Sequence, residues 1–302
     1  MERMNIGESG IIRIGSKIYK NVKINHLKIF AELGSGAFGI VTKRILDNNI
    51  LAVKEIFKMN QEQERKKGFM DLSVIKNANS PFIVKYYGYI TDFDSLYICM
   101  EPMTMCLETL YKNYVQPQNL KIPEFILGSI AVAVVKALKY LEDEHSFKVI
   151  SMLNLGESGG IFCIFGKFTI RPGLIHRDIK PSNILINKSG AIKLCDFGIA
   201  AKLNDKIAMA SSIGSFLYLS PERHARKKYD CKSDIWSLGI SLFELATFKY
   251  PYSFENEFEL LLLIIDQDPP KLPNTFSSEF QLFVNQCLIK DPNLRPTYKN
   301  LV

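Results

Sequence analysis

Several features that would assign the chain to other classes of protein are missing from its 302 residues. Its six cysteines form no C-x-x-C pair, so neither a zinc site nor a disulfide framework is supported, and reduced thiols are expected. No block of five like charges occurs, which argues against a nucleic-acid-binding tail. The longest apolar runs fall far short of the roughly 20 residues that cross a bilayer, and the N-terminus has no signal-peptide core.

The composition is that of an ordinary globular protein. Hydrophobic residues make up 47% and charged residues 23%, which excludes a disordered chain. A length of 302 residues is too long for one typical core and suits two packed lobes. The net charge of +7 fits a solvated surface and would also suit an anionic ligand. We therefore expect a soluble intracellular protein with no nucleic-acid or membrane partner.

Strand-like and helical segments divide the chain into two halves. Residues 27–103 consist mainly of β-branched runs, with a hairpin signal at "DNN" and one helical stripe over residues 61–78. After residue 104 the pattern becomes helical, with long apolar helices predicted over residues 126–145 and 232–247. A small β-rich lobe joined to a larger helical lobe leaves a cleft, where ligands commonly bind.

A glycine-rich stretch, "GSGAFGIV", lies between two predicted strands near the start of the β-rich half. Its glycines at positions 34, 36 and 39 would let backbone amides approach phosphates without obstruction by a Cβ atom. A glycine-rich hairpin turn explains the same residues without any ligand. The stretch does not open a helix, so it does not indicate a dinucleotide-binding Rossmann motif.

Three further motifs place charged side chains within or beside apolar segments, where a charge is costly unless it has a partner or a ligand. Lys54 of "AVKE" lies in an apolar strand, and a buried cation needs a partner or an anionic ligand. Asp196 of "LCDFG" follows a short apolar strand, where a carboxylate suits Mg²⁺. An exposed strand lysine and a turn aspartate are the simpler alternatives. The loop "HRDIKPSN" carries Asp178, Lys180 and Asn183, and its cations favour an ionised Asp178.

In this order and context, the four motifs resemble those of the eukaryotic protein kinases. The resemblance covers residues 27–302 and implies an α+β, bilobal fold. It implies a β-rich N-lobe over residues 27–103 and a helical C-lobe over residues 104–302, preceded by an N-terminal extension, residues 1–26. It also implies ATP and Mg²⁺ as cofactors.

The resemblance assigns a role to each motif residue. Asp178 would accept or orient the proton of the substrate hydroxyl, Lys180 would reach the γ-phosphate, and Lys54 would hold the α- and β-phosphates. Asn183 and Asp196 would bind Mg²⁺. The implied ATP-binding residues are Leu33, Gly34, Ser35, Gly36, Ala37, Phe38, Gly39, Val41, Ala52, Lys54, Met100 (the gatekeeper), Glu101, Met103 and Leu185. The implied structural residues are Asp71 as the partner of Lys54, the pair Glu222 and Arg295, and Asp234 beneath the catalytic loop.

Narrower phrases resemble the MAP kinase kinases, which are dual-specificity enzymes. These phrases include "MDLSVI", "ICMEPM", "LIHRDIKPSNILIN", "GAIKLCDFGIA" and "YLSPER". The lead-in "IGSKIYKNVKINHLKIFAELGSGAFG" is most similar to the stress-activated members. The resemblance implies a MAP kinase as substrate, phosphorylated on a Thr and a Tyr of its activation loop, and a MAP kinase kinase kinase as activator. It also implies a cytoplasmic location, extending to the nucleus.

The sequence departs from that family at four places. Asp71 stands where a glutamate is usual, so the helix that carries it must lie closer to Lys54. Of the two family phosphorylation sites, one falls on Ser211, with Ser212 beside it, and the other falls on Ile207. Residues 147–173 interrupt the junction before the catalytic loop, either as a real insertion or as an error in the gene model. Both ends are short, and the C-terminal end resembles a truncation.

Two other functions stay open on the sequence. A pseudokinase or scaffold of the same family would bind partners without transferring phosphate, and the insertion and short ends favour it. The intact Lys54, Asp178, Asn183 and Asp196 favour an active enzyme. A kinase from another group of the same cascade is a third possibility, because a fold does not fix a substrate.

Overall fold

The computed structural model describes residues 8–36, 39–57, 62–144, 174–197, 201–202 and 213–301. The predicted ATP-binding residues Ala37 and Phe38 lie outside these ranges, as do Ser211, Ser212 and the predicted insertion, residues 147–173. The described residues form a β-rich N-lobe followed by a mainly helical C-lobe. This arrangement confirms the expected α+β, bilobal fold class.

One antiparallel sheet forms the N-lobe, and within the described residues it has seven strands in the order β2-β1-β6-β7-β5-β4-β3. The strands are β1 (Ile11–Ile14), β2 (Lys17–Tyr19), β3 (Lys28–Gly36), β4 (Gly39–Leu46), β5 (Asn49–Ile56), β6 (Tyr86–Asp92) and β7 (Ser95–Met100). The hairpin predicted at "DNN" joins β4 to β5, with Leu46 opposite Asn49. Asp47 of this turn has φ of 50°, a left-handed conformation that aspartate adopts more readily than most residues.

Residues assigned to an N-terminal extension, residues 1–26, contribute the first two strands of this sheet. Strand β1 pairs with β6 through Ile11 opposite Tyr89, and Ile12 is fully buried. Because successive side chains of a strand point to opposite faces, Leu51 and Val53 of β5 lie on the face opposite to that of Ala52 and Lys54. There they form a small core whose other members are Ile12, Val22, Leu27, Leu46, Ile90, Tyr97 and Cys99. The sheet thus begins before the predicted boundary at residue 27.

The other face of the sheet packs against helix α1 (Glu62–Asn77). The helix lies where the stripe over residues 61–78 predicted it, and Leu72 and Ile75 of that stripe are fully buried. Burial of this face holds the helix beside β5, the strand that carries Lys54. Helix α1 and β5 therefore form one side of the cleft.

The C-lobe is organised around two long helices, α3 (Glu124–Glu144) and α6 (Lys232–Thr247), which pack against each other. Both were predicted from their apolar spacing, and α6 has the predicted bounds. The other helices of the described C-lobe are α2 (Leu107–Leu110), α4 (Ile213–Phe216), α5 (Pro221–His224), α7 (Glu257–Asp266) and α8 (Ser278–Cys287). Helix α7 begins after Asn256, whose side chain accepts a hydrogen bond from the Glu259 amide at 3.0 Å.

Short strands of the C-lobe carry the loops that line the cleft. They are β8 (Met105–Cys106), β9 (Leu174–Ile175), β10 (Ile184–Ile186), β11 (Ile192–Leu194) and β12 (Ala201–Lys202). Asp178 lies between β9 and β10, and Asp196 follows β11. Leu194 of β11 pairs with Ile83 of the N-lobe, which connects this strand to both lobes. Among the helices that the structure describes, none combines the length and apolarity that a membrane-spanning segment needs.

Candidate active site

The loop between β9 and β10 is held from below by a carboxylate of α6. Asp234 accepts hydrogen bonds from the amides of His176 at 2.7 Å and Arg177 at 2.8 Å. Burial raises the pKa of Asp234, and the two amides and the nearby cations oppose that rise. Arg177 has φ of 72°, so the backbone is strained where Asp234 holds it. This clamp fixes the orientation of the next residue, Asp178.

Three of the predicted catalytic and metal-binding residues, Asp178, Lys180 and Asn183, contact one another, and Asp178 is buried. Its Oδ2 atom accepts a hydrogen bond from Asn183 Nδ2 at 2.9 Å and pairs with Lys180 Nζ at 2.9 Å. Lys180 Nζ also donates to Ser215 Oγ at 2.9 Å. These side-chain contacts use Oδ2, and no contact to Oδ1 occurs among the described side chains, which fits the predicted role of Asp178 in accepting a proton from a substrate hydroxyl.

A second cluster joins the N-lobe to the residue after β11. Lys54 Nζ lies 2.6 Å from Asp71 Oδ2 and 3.0 Å from Asp196 Oδ1. Burial would lower the pKa of Lys54, but the two carboxylates outweigh it and raise the pKa above its usual value. The lysine therefore stays charged, which fits its predicted role in holding phosphates.

Asp71 forms the contact with Lys54 despite its shorter side chain. Its Oδ1 atom also accepts a hydrogen bond from the amide of Phe197 at 3.0 Å. One carboxylate thus ties helix α1 to β5 and to the residue that follows Asp196. Asp196 itself has φ of 65°, a conformation rarely adopted by residues other than glycine, asparagine and aspartate.

Two glycines at the turn between β3 and β4, Gly39 and Gly34, are explained by different features of the structure. Gly39 has φ of 118°, and a Cβ atom there would lie 1.9 Å from the Glu55 carbonyl oxygen. Side chains are therefore excluded at Gly39 by the fold alone. At Gly34 a Cβ atom would meet no atom of the described residues within 4 Å, so packing among those residues does not explain that glycine. Open space above Gly34 fits the predicted approach of backbone amides to phosphates.

The remaining predicted nucleotide contacts lie on strands that face the cleft or on the segment between the lobes. Ala52 of β5 lies opposite Met100 of β7, and both are buried. Met103 is also buried, and Leu185 of β10 is half-buried. Leu33 and Val41 lie on β3 and β4 on either side of the glycine turn, with Ser35 and Gly36 between them in the chain.

The residues present fit Mg²⁺ and ATP. Asn183 uses its Nδ2 atom on Asp178, which leaves its side-chain oxygen for a cation. Asp196 adds carboxylate oxygens, and both are the hard oxygen ligands that Mg²⁺ prefers. A Mg²⁺ ion held by these two residues would take its other ligands from nucleotide phosphates and water.

Sequence reasoning missed one ion pair beside the nucleotide contacts. Glu101 Oε1 lies 2.5 Å from Lys193 Nζ of β11 and also accepts a hydrogen bond from the Lys85 amide at 2.6 Å. Lys193 stands three residues before Asp196, so the pair ties the segment between the lobes to the strand leading to that aspartate. A polar residue in the apolar run "AIKL" was the available signal.

A second buried ion pair, between Glu222 of α5 and Arg295, lies within the C-lobe. Glu222 accepts hydrogen bonds from Arg295 Nη1 at 2.8 Å and Nη2 at 3.1 Å, and Ser233 Oγ donates to the same carboxylate at 2.8 Å. Burial disfavours ionisation of Glu222, but Arg295 outweighs it and holds the pKa of this carboxyl below its usual range. The pair lies away from the cleft, which agrees with a structural role.

Comparison of the sequence with known proteins identifies the family that this chain resembles. The sequence model of the protein kinase domain matches residues 27–151 and 167–302. The unmatched residues 152–166 fall within the predicted insertion, residues 147–173.

Relatives from three animals align with nearly the whole chain. "Dual specificity mitogen-activated protein kinase kinase 7" of Rattus norvegicus is 40% identical over 98% of the chain, which spans 65% of that protein. "Dual specificity mitogen-activated protein kinase kinase hemipterous" of Drosophila melanogaster is 40% identical over 98% of the chain and 23% of its own length. The corresponding kinase mek-1 of Caenorhabditis elegans is 38% identical over 94% of the chain and 74% of its own length.

Proposed function

The chain belongs to the protein kinase family, among the MAP kinase kinases, and from this premise we propose that it phosphorylates a MAP kinase. The reaction transfers the γ-phosphate of ATP to a Thr and a Tyr in the activation loop of that substrate. The observation that carries the proposal is the pair of clusters across the cleft. Asp178 with Lys180 and Asn183 lies on one side, and Lys54 with Asp71 and Asp196 on the other.

These side chains divide the work between the two reactants. Lys54, charged and held by two carboxylates, would bind the α- and β-phosphates, and Asn183 and Asp196 would hold Mg²⁺. When bound, Mg·ATP supplies the phosphoryl group and part of the neutralisation of its charge. Asp178 would accept the proton of the acceptor hydroxyl through its Oδ1 atom, while Lys180 offsets the charge beside it. Catalysis therefore rests on positioning and electrostatics more than on covalent chemistry.

The partners and location follow from the same premise and complete the proposal. The proposed cascade is a stress-activated one, because the lead-in "IGSKIYKNVKINHLKIFAELGSGAFG" resembles the stress-activated members of the family. The proposed activator is a MAP kinase kinase kinase, and the proposed location is the cytoplasm and the nucleus. The intact Lys54, Asp178, Asn183 and Asp196 weigh against the alternative of an inactive scaffold.

The direct test adds a catalytically dead MAP kinase and Mg·ATP to the purified chain, which has first been phosphorylated at Ser211 or Ser212, and maps the phosphates on the MAP kinase by mass spectrometry. We expect phosphate on both the Thr and the Tyr of the MAP kinase activation loop. Phosphate on neither residue, from a chain that binds Mg·ATP as judged by a rise in melting temperature, would reject the proposed activity. Phosphate on Thr alone would reject dual specificity.

Activation is expected to need a single phosphorylation, at Ser211 or its neighbour Ser212. Ile207, at the other family site, has no hydroxyl to accept phosphate. A phosphate adds a charge of about −1.5 to −2 and orders a segment through nearby cations. Mass spectrometry of the activated protein should find phosphate on one of the two serines, and the double change Ser211→Ala with Ser212→Ala should prevent activation. Full activation of that double variant would contradict the prediction.

A further inference from the structure

The ring of Tyr229, in the loop between α5 and α6, contacts two buried cations. The guanidinium carbon atoms of Arg177 and Arg223 each lie 5.2 Å from the centroid of this ring. Arg177 is 3% exposed and Arg223 is 8% exposed. A guanidinium over an aromatic face is attracted by the quadrupole of the ring, and the attraction grows when both groups are shielded from water. Tyr229 therefore stabilises two positive charges that are largely removed from water.

Arg177 is the residue of the catalytic loop that directly precedes Asp178. Its left-handed backbone is strained and persists only where its surroundings hold it. Asp234 accepts a hydrogen bond from its amide, and Arg223 Nη1 donates to its carbonyl at 2.8 Å. The ring of Tyr229 holds its side chain. Arg177 is thus fixed at its amide, its carbonyl and its side chain, which restricts the peptide that leads to Asp178.

Arg223 connects this part of the catalytic loop to α5. Its own amide donates to the Ser220 carbonyl at 3.0 Å, so the side chain starts from a hydrogen-bonded turn. Burial raises the pKa of Asp234, and the charge of Arg223 is among the groups that oppose that rise. Arg223 therefore supports the loop twice. It donates to the carbonyl of Arg177, and its charge favours the ionised carboxylate that accepts the amide of the same residue.

Tyr229 and Arg223 lie outside the clusters that would bind Mg·ATP. Within the described part of the chain, the side chains of these two residues make no contact with Lys54, Asn183 or Asp196. The hydroxyl oxygen of Tyr229 is buried and has no hydrogen-bond partner among the described residues. The contribution of Tyr229 therefore comes from its aromatic face and not from its oxygen atom.

We propose that Tyr229 is a positioning residue for Asp178, an inference that rests on the proposed phosphate transfer. Its ring holds the guanidinium groups of Arg177 and Arg223, and these two residues fix the backbone that carries Asp178. Without the ring, the two buried cations lose a shared partner, and the strained backbone of Arg177 can relax. Asp178 then meets the acceptor hydroxyl less often in the productive orientation. The rate of transfer should fall, whereas the binding of Mg·ATP should not change.

Tyr229→Leu and Tyr229→Phe separate the aromatic face from the hydroxyl. Each chain is first phosphorylated at Ser211 or Ser212 to the same extent, as checked by mass spectrometry, and is then assayed on a catalytically dead MAP kinase. Tyr229→Leu should lower kcat about tenfold, the scale of the attraction between a ring and two largely desolvated cations, and leave the KM for ATP unchanged. Tyr229→Phe keeps the ring and should restore the wild-type kcat.

Arg223→Met provides a second variant that leaves Tyr229 in place. It removes the donor to the Arg177 carbonyl and one of the two cations, so kcat should again fall about tenfold with no change in the KM for ATP. Arg226→Met is the matched control, because Arg226 is exposed and lies in the loop that follows α5. This control should keep the wild-type kcat.

Tyr229→Leu with a wild-type kcat would overturn the inference, and so would an equal fall in Tyr229→Phe, which would assign the effect to the hydroxyl. A KM for ATP that rises as far as kcat falls would also overturn it, because the whole cleft would then be disturbed. If Tyr229→Leu shows no cooperative melting, the second pair decides, and equal kcat values for Arg223→Met and Arg226→Met reject the inference. A wild-type chain that transfers no phosphate to protein rejects the proposed function instead.

Discussion

Asp178→Asn should reduce phosphate transfer to a MAP kinase by about 10³-fold, the middle of the range that a general base contributes. Asparagine has the same shape, so Lys180 and Asn183 can keep their contacts through its side-chain oxygen. The amide cannot take up the proton of the acceptor hydroxyl at neutral pH. Lys54 and Asp196 are untouched, so Mg·ATP should still raise the melting temperature of the variant.

The matched control for this change is Asp94→Asn. Asp94 is exposed in the turn between β6 and β7, and the substitution alters the same atoms outside the cleft. Transfer by the control should equal that of the wild type. Transfer by Asp178→Asn within tenfold of the wild type would remove Asp178 from its proposed role, and loss of the Mg·ATP response would show that the loop had been disrupted instead.

The residues that carry chemistry could be found from the sequence because each is a polar exception in an apolar setting. Lys54 interrupts a strand, and Asp178 and Asp196 follow buried strands, so their order along the chain limits the chemistry they can perform. The sequence also indicated that the shorter Asp71 would need a closer helix, and its 2.6 Å contact with Lys54 shows that the helix reaches that position.

Other features depend on contacts between residues far apart in the chain, which no local pattern predicts. Glu244 meets Tyr111 across 133 positions, and Lys193 meets Glu101 across 92. No local pattern in residues 1–26 predicted the hairpin of β1 and β2, whose strands are only four and three residues long. Its place in the sheet comes from Ile12, which covers a face of β5 that would otherwise be open to water.

Arg295→Met should lower the free energy of unfolding by about 3–5 kcal/mol, the usual cost of removing one partner from a buried ion pair. Arg295 is fully buried and donates two hydrogen bonds to Glu222. Methionine fills much of the space but leaves Glu222 as an uncompensated buried charge. Urea unfolding at neutral pH measures the loss, and Arg13→Met, at an exposed position of β1, should change stability by no more than about 0.5 kcal/mol.

The free energy of unfolding lost in Arg295→Met should depend on pH and on the presence of Glu222. Arg295 holds the pKa of Glu222 below the usual 4.5. The ion pair therefore stabilises the fold fully at pH values above 4.5, and this stability is lost as the pH falls through the lowered pKa of Glu222. The gap between wild type and Arg295→Met should therefore narrow in acid. Adding Glu222→Leu to Arg295→Met removes the stranded charge and should restore most of the stability at neutral pH. A double variant no more stable than Arg295→Met would show that the arginine acts through its contacts with backbone carbonyls instead.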